Sequence, residues 1–172
     1  MNKISYSDNV VPTSLRHQIN EFCLRSIYTL GWQDSQDPSK YIPNLHSNWS
    51  IDDLDKIQIL PHIQKCIDKT PWFTGKKLNK TVVNLVRPMD VHYIHHHRTR
   101  HVALYYANLD WEDGWYGETI FYDEFDENNI IFTSPYVPGR IILFDGNIPH
   151  TIRPQSIDGP KFRISITLFF DE

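Results

Sequence analysis

Apolar positions change their period near the middle of the chain. From Ser14 to Leu30 they fall at Leu15, Ile19, Phe22, Cys23, Ile27 and Leu30, the spacing of one helix face. Gly31 is placed to stop that helix. Residues 34–49 are polar and interrupted by Pro38 and Pro43, so they read as a loop. Ser50 then precedes Ile51-Asp52-Asp53, an N-cap followed by acidic first-turn residues. It predicts a helical segment to about Lys69, kinked or broken near Pro61. Beyond Lys80 the helical period is lost. Residues 81–87, 102–107, 119–122, 130–133, 140–144 and 162–170 are β-branched and aromatic runs, mostly separated by Gly, Pro, Asn or Asp. Strands following helices predict a mainly β chain with N-terminal helices (α+β). Two facing sheets would form a jelly roll, the double-stranded β-helix.

The 172 residues suit a single domain. Within it, 1–80 would be a mostly helical support region and 81–172 the jelly-roll core. Hydrophobic residues at 40 % and aromatics at 13 % supply a packed core, and 11 Pro with 7 Gly suit a loop-rich β protein. The net charge of −4 argues against a general polyanion binder, so nucleic acid is not an expected partner. Arg87, Arg98, Arg100 and His101 could still form a local basic patch or simply a solvated strand end. No apolar run approaches the roughly 18 residues of a membrane-spanning helix, and the N-terminus lacks a signal-peptide core. Cys23 and Cys66 form no ligand motif and read as reduced core residues of a cytoplasmic protein.

Candidate chemistry begins with His92, His95, His96 and His97. On a probable strand, His95 and His97 share one face while His96 points the other way. His150 stands far downstream, presented by a tight loop after a buried strand. Two close ligands plus one distant ligand can build a metal site with open positions, although a polar sheet edge would show the same cluster. Arg163 and Ser165 share one face of an otherwise apolar strand. A buried Arg there needs an anion, either a bound dicarboxylate or a structural ion-pair partner. Trp111, Trp115, Tyr116 and Tyr122 crowd one region and could line a peptide groove or merely pack a sheet. The acidic stretch 123–129 could flank an entrance or form a solvated hairpin.

Residues 81–170 resemble the prolyl 4-hydroxylase-like branch of the Fe(II)/2-oxoglutarate-dependent oxygenases, especially its short phage and bacterial forms. The resemblance is carried by Asp90 ahead of His95, Leu104-Tyr-Tyr-Ala-Asn-Leu-Asp-Trp111, Gly117-Glu-Thr-Ile-Phe121, Pro138-Gly-Arg-Ile-Ile-Leu-Phe144, His150 and Arg163-x-Ser165. It implies that His95 and His150 are the first and last iron ligands. It also implies that Arg163 and Tyr106 bind the distal carboxylate of 2-oxoglutarate and that Ser165 assists Arg163. Val102, Leu104 and Asn108 would join Tyr106 on the active-site face, with Asn108 among the cosubstrate-binding residues. Thr119 or Phe121 would line the cosubstrate pocket. The chain departs from the family at the middle ligand, usually His-x-Asp. His97 itself could coordinate, water or an anion could fill the position, or a nearby acid such as Asp90, Asp113 or Glu118 could serve. The reading adopted places His95, His97 and His150 on the metal as the catalytic centre, with Fe(II), 2-oxoglutarate and O2 as reactants. The implied reaction is hydroxylation of a prolyl or other residue in a protein or peptide. A small metabolite or sugar nucleotide as substrate, or an inactive jelly-roll binding module, is the alternative. A nucleic-acid demethylase fits less well, because no second Arg follows Thr167 at the expected place.

Overall fold

The computed structural model describes residues 3–34, 37–40, 42–98 and 100–171. The expected loop at 34–49 therefore includes residues outside the described ones (35, 36 and 41), as do the first two residues of the N-terminus.

Among the described residues, ten strands and three α-helices follow one another, the helices all lying before the fourth strand. In order they are β1 (Ile4–Ser7), α1 (Thr13–Arg25), β2 (Thr29–Trp32), β3 (Asn44–Trp49), α2 (Ile51–Lys56), α3 (Leu60–Ile67), β4 (Lys77–Val86), β5 (His101–Tyr106), β6 (Thr119–Tyr122), β7 (Ile130–Ser134), β8 (Ile141–Asp145), β9 (His150–Ile152) and β10 (Arg163–Asp171). A seven-stranded sheet runs β1-β8-β5-β10-β4-β3-β2 and a three-stranded sheet runs β7-β6-β9, all pairings antiparallel. The two sheets face each other as the expected jelly roll.

Strand alternation divides the large sheet between two cores. Ala103, Tyr105, Leu143, Ile166 and Leu168 face outward, where Ile19, Cys23, Leu54 and Ile63 of the helices cover them. Val102, Leu104, Tyr106, Ile142, Phe144 and Phe169 face inward, against Phe121 of the small sheet. Cys23 and Cys66 are both free and buried. Among the described residues no helix is long and apolar enough to cross a membrane.

The N-terminal region corrects the expectation of a mostly helical support. The first helix ends at Arg25, not Leu30. Ser26 turns the chain to extended geometry, its hydroxyl donating to the Phe22 carbonyl (2.9 Å) and its N–H to that of Cys23 (3.2 Å). Leu30 and Gly31 then belong to β2, paired with β3. The loop expected at 34–49 instead closes with β3, whose Leu45, Ser47 and Trp49 sit opposite Leu85, Val83 and Thr81. The Ser50 cap forms as expected: the Asp53 N–H donates to Ser50 Oγ (3.2 Å), and the Ser50 N–H donates to the Asp53 carboxylate (3.0 Å). The helix after it breaks between Lys56 and Leu60, with Gln58 in left-handed geometry (φ 48°) and Pro61 in the first turn of α3.

Candidate functional site

The histidine cluster does not lie on a regular strand as expected. The described residues between β4 and β5 (87–98 and 100) form a connection that meets the small sheet at a bridge between His95 and His150, and Thr151 Oγ1 donates to the His92 carbonyl (3.0 Å). At that bridge each residue's N–H donates to the other's carbonyl, at 3.1 and 2.9 Å. The N–H of His97 donates to the Gly146 carbonyl at 2.7 Å. A β-carbon on Gly146 would run into the Arg98 and Arg100 carbonyls, so only glycine lets the two segments approach this closely. These main-chain bonds bring His95, His97 and His150 together, and their available ring nitrogens all lie within 4.8 Å of one another.

Each outer imidazole is also turned by a carbonyl. His95 Nδ1 lies 3.0 Å from the Tyr93 carbonyl and His150 Nδ1 3.0 Å from that of Ile148. A carbonyl can only accept, so both Nδ1 atoms carry the proton and both Nε2 atoms present a lone pair. This is the orientation a metal ligand requires. Burial, then the neighbouring His95 and Arg100, pushes the His97 pKa down to about 3. Burial and the two other histidines likewise push His150 well below the ordinary imidazole range. Neutral rings are the coordinating form. The unfolded chain therefore binds more protons between pH ~6.5 and ~3 than the folded one, so these groups favour folding fully above pH ~6.5 and lose that contribution as pH falls. Metal-free protein in chelator is expected to lose more melting temperature between pH 7.5 and 5 than a His97→Gln variant. Equal losses would contradict this attribution.

The acids weighed for the middle position lie elsewhere. Asp90 accepts from the Arg87 N–H (3.0 Å) and its Nε (3.1 Å), and Glu118 pairs with Arg153 (3.4 Å). Asp113 sits in a single 3-10 turn. Among the described residues the metal-competent cluster consists of the three histidines. An acid the sequence reading missed, Asp34, stands behind the cluster. Its carboxylate accepts from His92 Nδ1 (2.9 Å) and lies 4.0 Å from His95 Nδ1. Burial alone would raise its pKa, but His92 and His95 outweigh that and hold it ionised.

Arg163 enters the same pocket from β10. Its side chain is wholly buried; Nε donates to the Gly117 carbonyl (2.8 Å) and one terminal nitrogen to Thr119 Oγ1 (3.1 Å). The other terminal nitrogen has no protein partner, and among the described residues no carboxylate pairs with this guanidinium. Its charge is shared only with the faces of Tyr106 (5.1 Å) and Tyr136 (4.9 Å), which are stacked on each other. Tyr106 Oη is 2.7 Å from Thr119 Oγ1, so Thr119 stands between that phenol and the pocket. Ser165 lies on the same strand face as Arg163 and also lines the pocket, as do Leu104 and Thr119.

One expectation is corrected, and two alternatives left open by the sequence are narrowed. Asn108 does not face the pocket. Its oxygen accepts from the Ile164 N–H (2.7 Å) and Tyr136 (2.6 Å), and its Nδ2 donates to the Phe162 carbonyl (2.9 Å). Both acceptor sites of its oxygen and one amide N–H go into fastening the start of β10 beside the end of β5. Trp111, Trp115, Tyr116 and Tyr122 do not line the pocket either. Trp111 packs on Tyr136 (4.0 Å) and donates to the Tyr116 carbonyl (2.8 Å). The basic patch is partly neutralised, because Arg87 faces Asp90 and Arg100 faces Asp171 at 3.5 Å.

Gly117 fixes the guanidinium. It has φ +78°, and a β-carbon there would sit 2.8 Å from the Trp111 ring and 3.4 Å from Arg163 Cδ. Gly117→Ala is expected to lower stability by roughly 1–3 kcal/mol through backbone strain and to loosen Arg163. A thermal melt unchanged from wild type would contradict that placement.

No protein-family model matches the sequence, and no curated protein matches it. Similarity appears among solved structures. A prolyl-4-hydroxylase from Pseudomonas putida superposes with a TM-score of 0.76 at 16 % identity, covering 100 % of this chain and 94 % of that one. A prolyl hydroxylase from Trichoplax adhaerens, in complex with a hypoxia inducible factor peptide fragment, gives 0.71 at 16 %, covering 99 % and 84 %. A non-heme alpha ketoglutarate dependent epimerase from nogalamycin biosynthesis gives 0.72 at 12 %, covering 99 % and 78 %. These likenesses show that the whole chain shares one fold with such proteins.

Proposed function

We propose that this protein is an Fe(II)- and 2-oxoglutarate-dependent oxygenase that hydroxylates a C–H bond, in the first instance of a prolyl or other residue in a peptide. The observation that carries the proposal is Arg163. A fully buried cation without an acid partner costs several kcal/mol unless an anion joins it, and this one shares its pocket with three convergent imidazoles.

The residues fit the groups the reading requires. Three neutral nitrogen donors suit Fe(II) and leave positions for a chelating cosubstrate and O2. His95, His97 and His150 would hold the metal. Arg163 would take the distal carboxylate of 2-oxoglutarate through the terminal nitrogen that has no partner, and the Thr119 hydroxyl and Ser165 would add hydrogen bonds. When bound, iron and 2-oxoglutarate would activate O2, which is the oxidant, with 2-oxoglutarate oxidised to succinate and CO2 and the second oxygen atom available to the substrate C–H bond. The chain's own work is positioning. Tyr106 and Tyr136 keep the guanidinium flat and dry, the Gly117 carbonyl sets its angle, and Phe144 and Phe169 exclude water behind the imidazoles.

The neighbours support a peptide substrate, since two of those described are prolyl hydroxylases and one holds a peptide fragment. The second reading keeps the chemistry and acts on a small metabolite. The epimerase neighbour supports it, as does the placement of the four aromatic residues outside the pocket. Succinate formation from 2-oxoglutarate under air, with Fe(II) and with or without a Pro-rich peptide, tests both. Iron-dependent succinate, increased by the peptide, is expected. No succinate despite bound iron and 2-oxoglutarate would leave a binding module instead.

A further inference from the structure

Beside the Arg163 clamp, the pocket wall continues across β4 to β3, and it is polar where a core would be apolar. Asn44 on β3 is 3 % exposed, yet neither its amide nitrogen nor its oxygen has a partner among the described residues. Asn84 on β4 donates weakly to Thr167 Oγ1 (3.4 Å), and its buried oxygen has no partner. The His92 side chain is 3 % exposed; its Nδ1 faces the Asp34 carboxylate and its Nε2 is buried without a partner. All three residues line the pocket that holds the histidine cluster.

The register explains the juxtaposition. Asn84 pairs with Ser165, and Val86 pairs with Arg163. Asn44 pairs with Trp32, and by continuation of the β3–β4 register it lies across from Val86. Asn44 is thus two strand spacings from Arg163, roughly 10 Å along the sheet. That separation places it beyond the cosubstrate clamp but inside the same cavity. Buried polar groups in folded proteins are nearly always paired, so four orphaned atoms on one wall point to a ligand that pairs them.

We propose that Asn44, Asn84 and His92 form the substrate-recognition subsite and that it takes an uncharged carboxamide. The inference rests on the oxygenase reading of the site. Asn44 Nδ2 offers a donor group, Asn44 Oδ1 and Asn84 Oδ1 offer two acceptors, and the His92 Nε2 atom closes the wall beside them. A primary carboxamide offers two N–H donors and one carbonyl, which matches this set. A carboxylate has no donors and would face the two amide oxygens.

The test uses protein loaded with Zn(II), as a redox-inert replacement for iron, and saturated with 2-oxoglutarate. Propionamide, propionate and 1,2-propanediol are titrated while the side-chain amide signals of Asn44 and Asn84 are followed by NMR. Saturable shifts at both residues are expected with propionamide, at least about tenfold tighter than with either other probe. Asn44→Ala is expected to weaken propionamide by about tenfold or more. Asn84→Ala gives the same readout should the first variant not fold. Equal affinity for the three probes, no saturation with any, or wild-type affinity in the variants overturns the subsite. Calorimetry on the same samples separates the two readings. Failure of Zn(II) or 2-oxoglutarate to bind removes the oxygenase reading, whereas their binding without propionamide binding removes only the subsite.

Discussion

Replacing Arg163 with leucine is expected to weaken 2-oxoglutarate by about 100-fold or more without lowering the stability of the ligand-free protein. The two effects have one origin. In the folded chain the guanidinium is buried with two hydrogen bonds and no counter-charge, so removing it relieves desolvation and offsets the bonds lost to Gly117 and Thr119. With the dicarboxylate bound, the same cation is half of a desolvated pair. Truncating one partner of such a pair costs about 2–5 kcal/mol, and 1.4 kcal/mol is tenfold in affinity. Arg163→Lys is expected to rescue little, because a single ammonium cannot keep the Gly117 and Thr119 bonds that orient the guanidinium and still present a nitrogen to the carboxylate. Calorimetric titration of Mn(II)-loaded protein under argon reads the affinity, and thermal melting of the free protein reads the stability. Unchanged binding in the leucine variant would remove the assignment of the cosubstrate and, with it, the strongest support for the oxygenase reading.

His97 carries the second large effect. His97→Ala is expected to weaken a divalent transition metal by at least about 100-fold. Losing a partner that merely orients a ligand already gives 10–100-fold, and loss of a ligand itself should exceed that. His97→Asp, by contrast, is expected to retain metal. It would place an anionic oxygen on the same backbone position and lower the net charge of the loaded site by one. Titration with Co(II), followed by its visible absorption, distinguishes the three proteins. Wild-type affinity in His97→Ala would mean that the metal sits on two histidines and that the middle position is filled from outside the chain.

Much of the jelly roll was legible because its central strands are buried on both faces and read as continuous apolar runs; β5, β8 and β10 are of this kind. β3 was hidden for the opposite reason. One face of it carries Asn44, His46 and Asn48, so the sequence reads as a polar loop although Asn44, Ser47 and Trp49 are buried. One of the residues that concealed the strand, Asn44, is part of the pocket wall. β9 is three residues long and begins at His150, too short for a periodicity to register. Spacing placed His95, His97 and His150 in one cluster, but through a wrong intermediate, since a bridge and a glycine contact hold them where a strand was expected. Asn108 shows the limit of alternation. It follows β5, where the chain turns, and its amide goes to main-chain groups and to Tyr136 and not to the pocket. Asp34 and His92 lie 58 positions apart in the chain, and nothing local announces their contact.

The reciprocal main-chain bridge between His95 and His150, with the Gly146 carbonyl under His97, separates where a ligand stands from what the ligand is. Every bond that sets these three positions is made by backbone atoms, which are the same for any residue. A mutation at the middle position changes hardness, charge and metal preference without moving the scaffold. Such a centre can drift from carboxylate to imidazole in a single inherited step, its new chemistry exposed to selection while its architecture goes untouched.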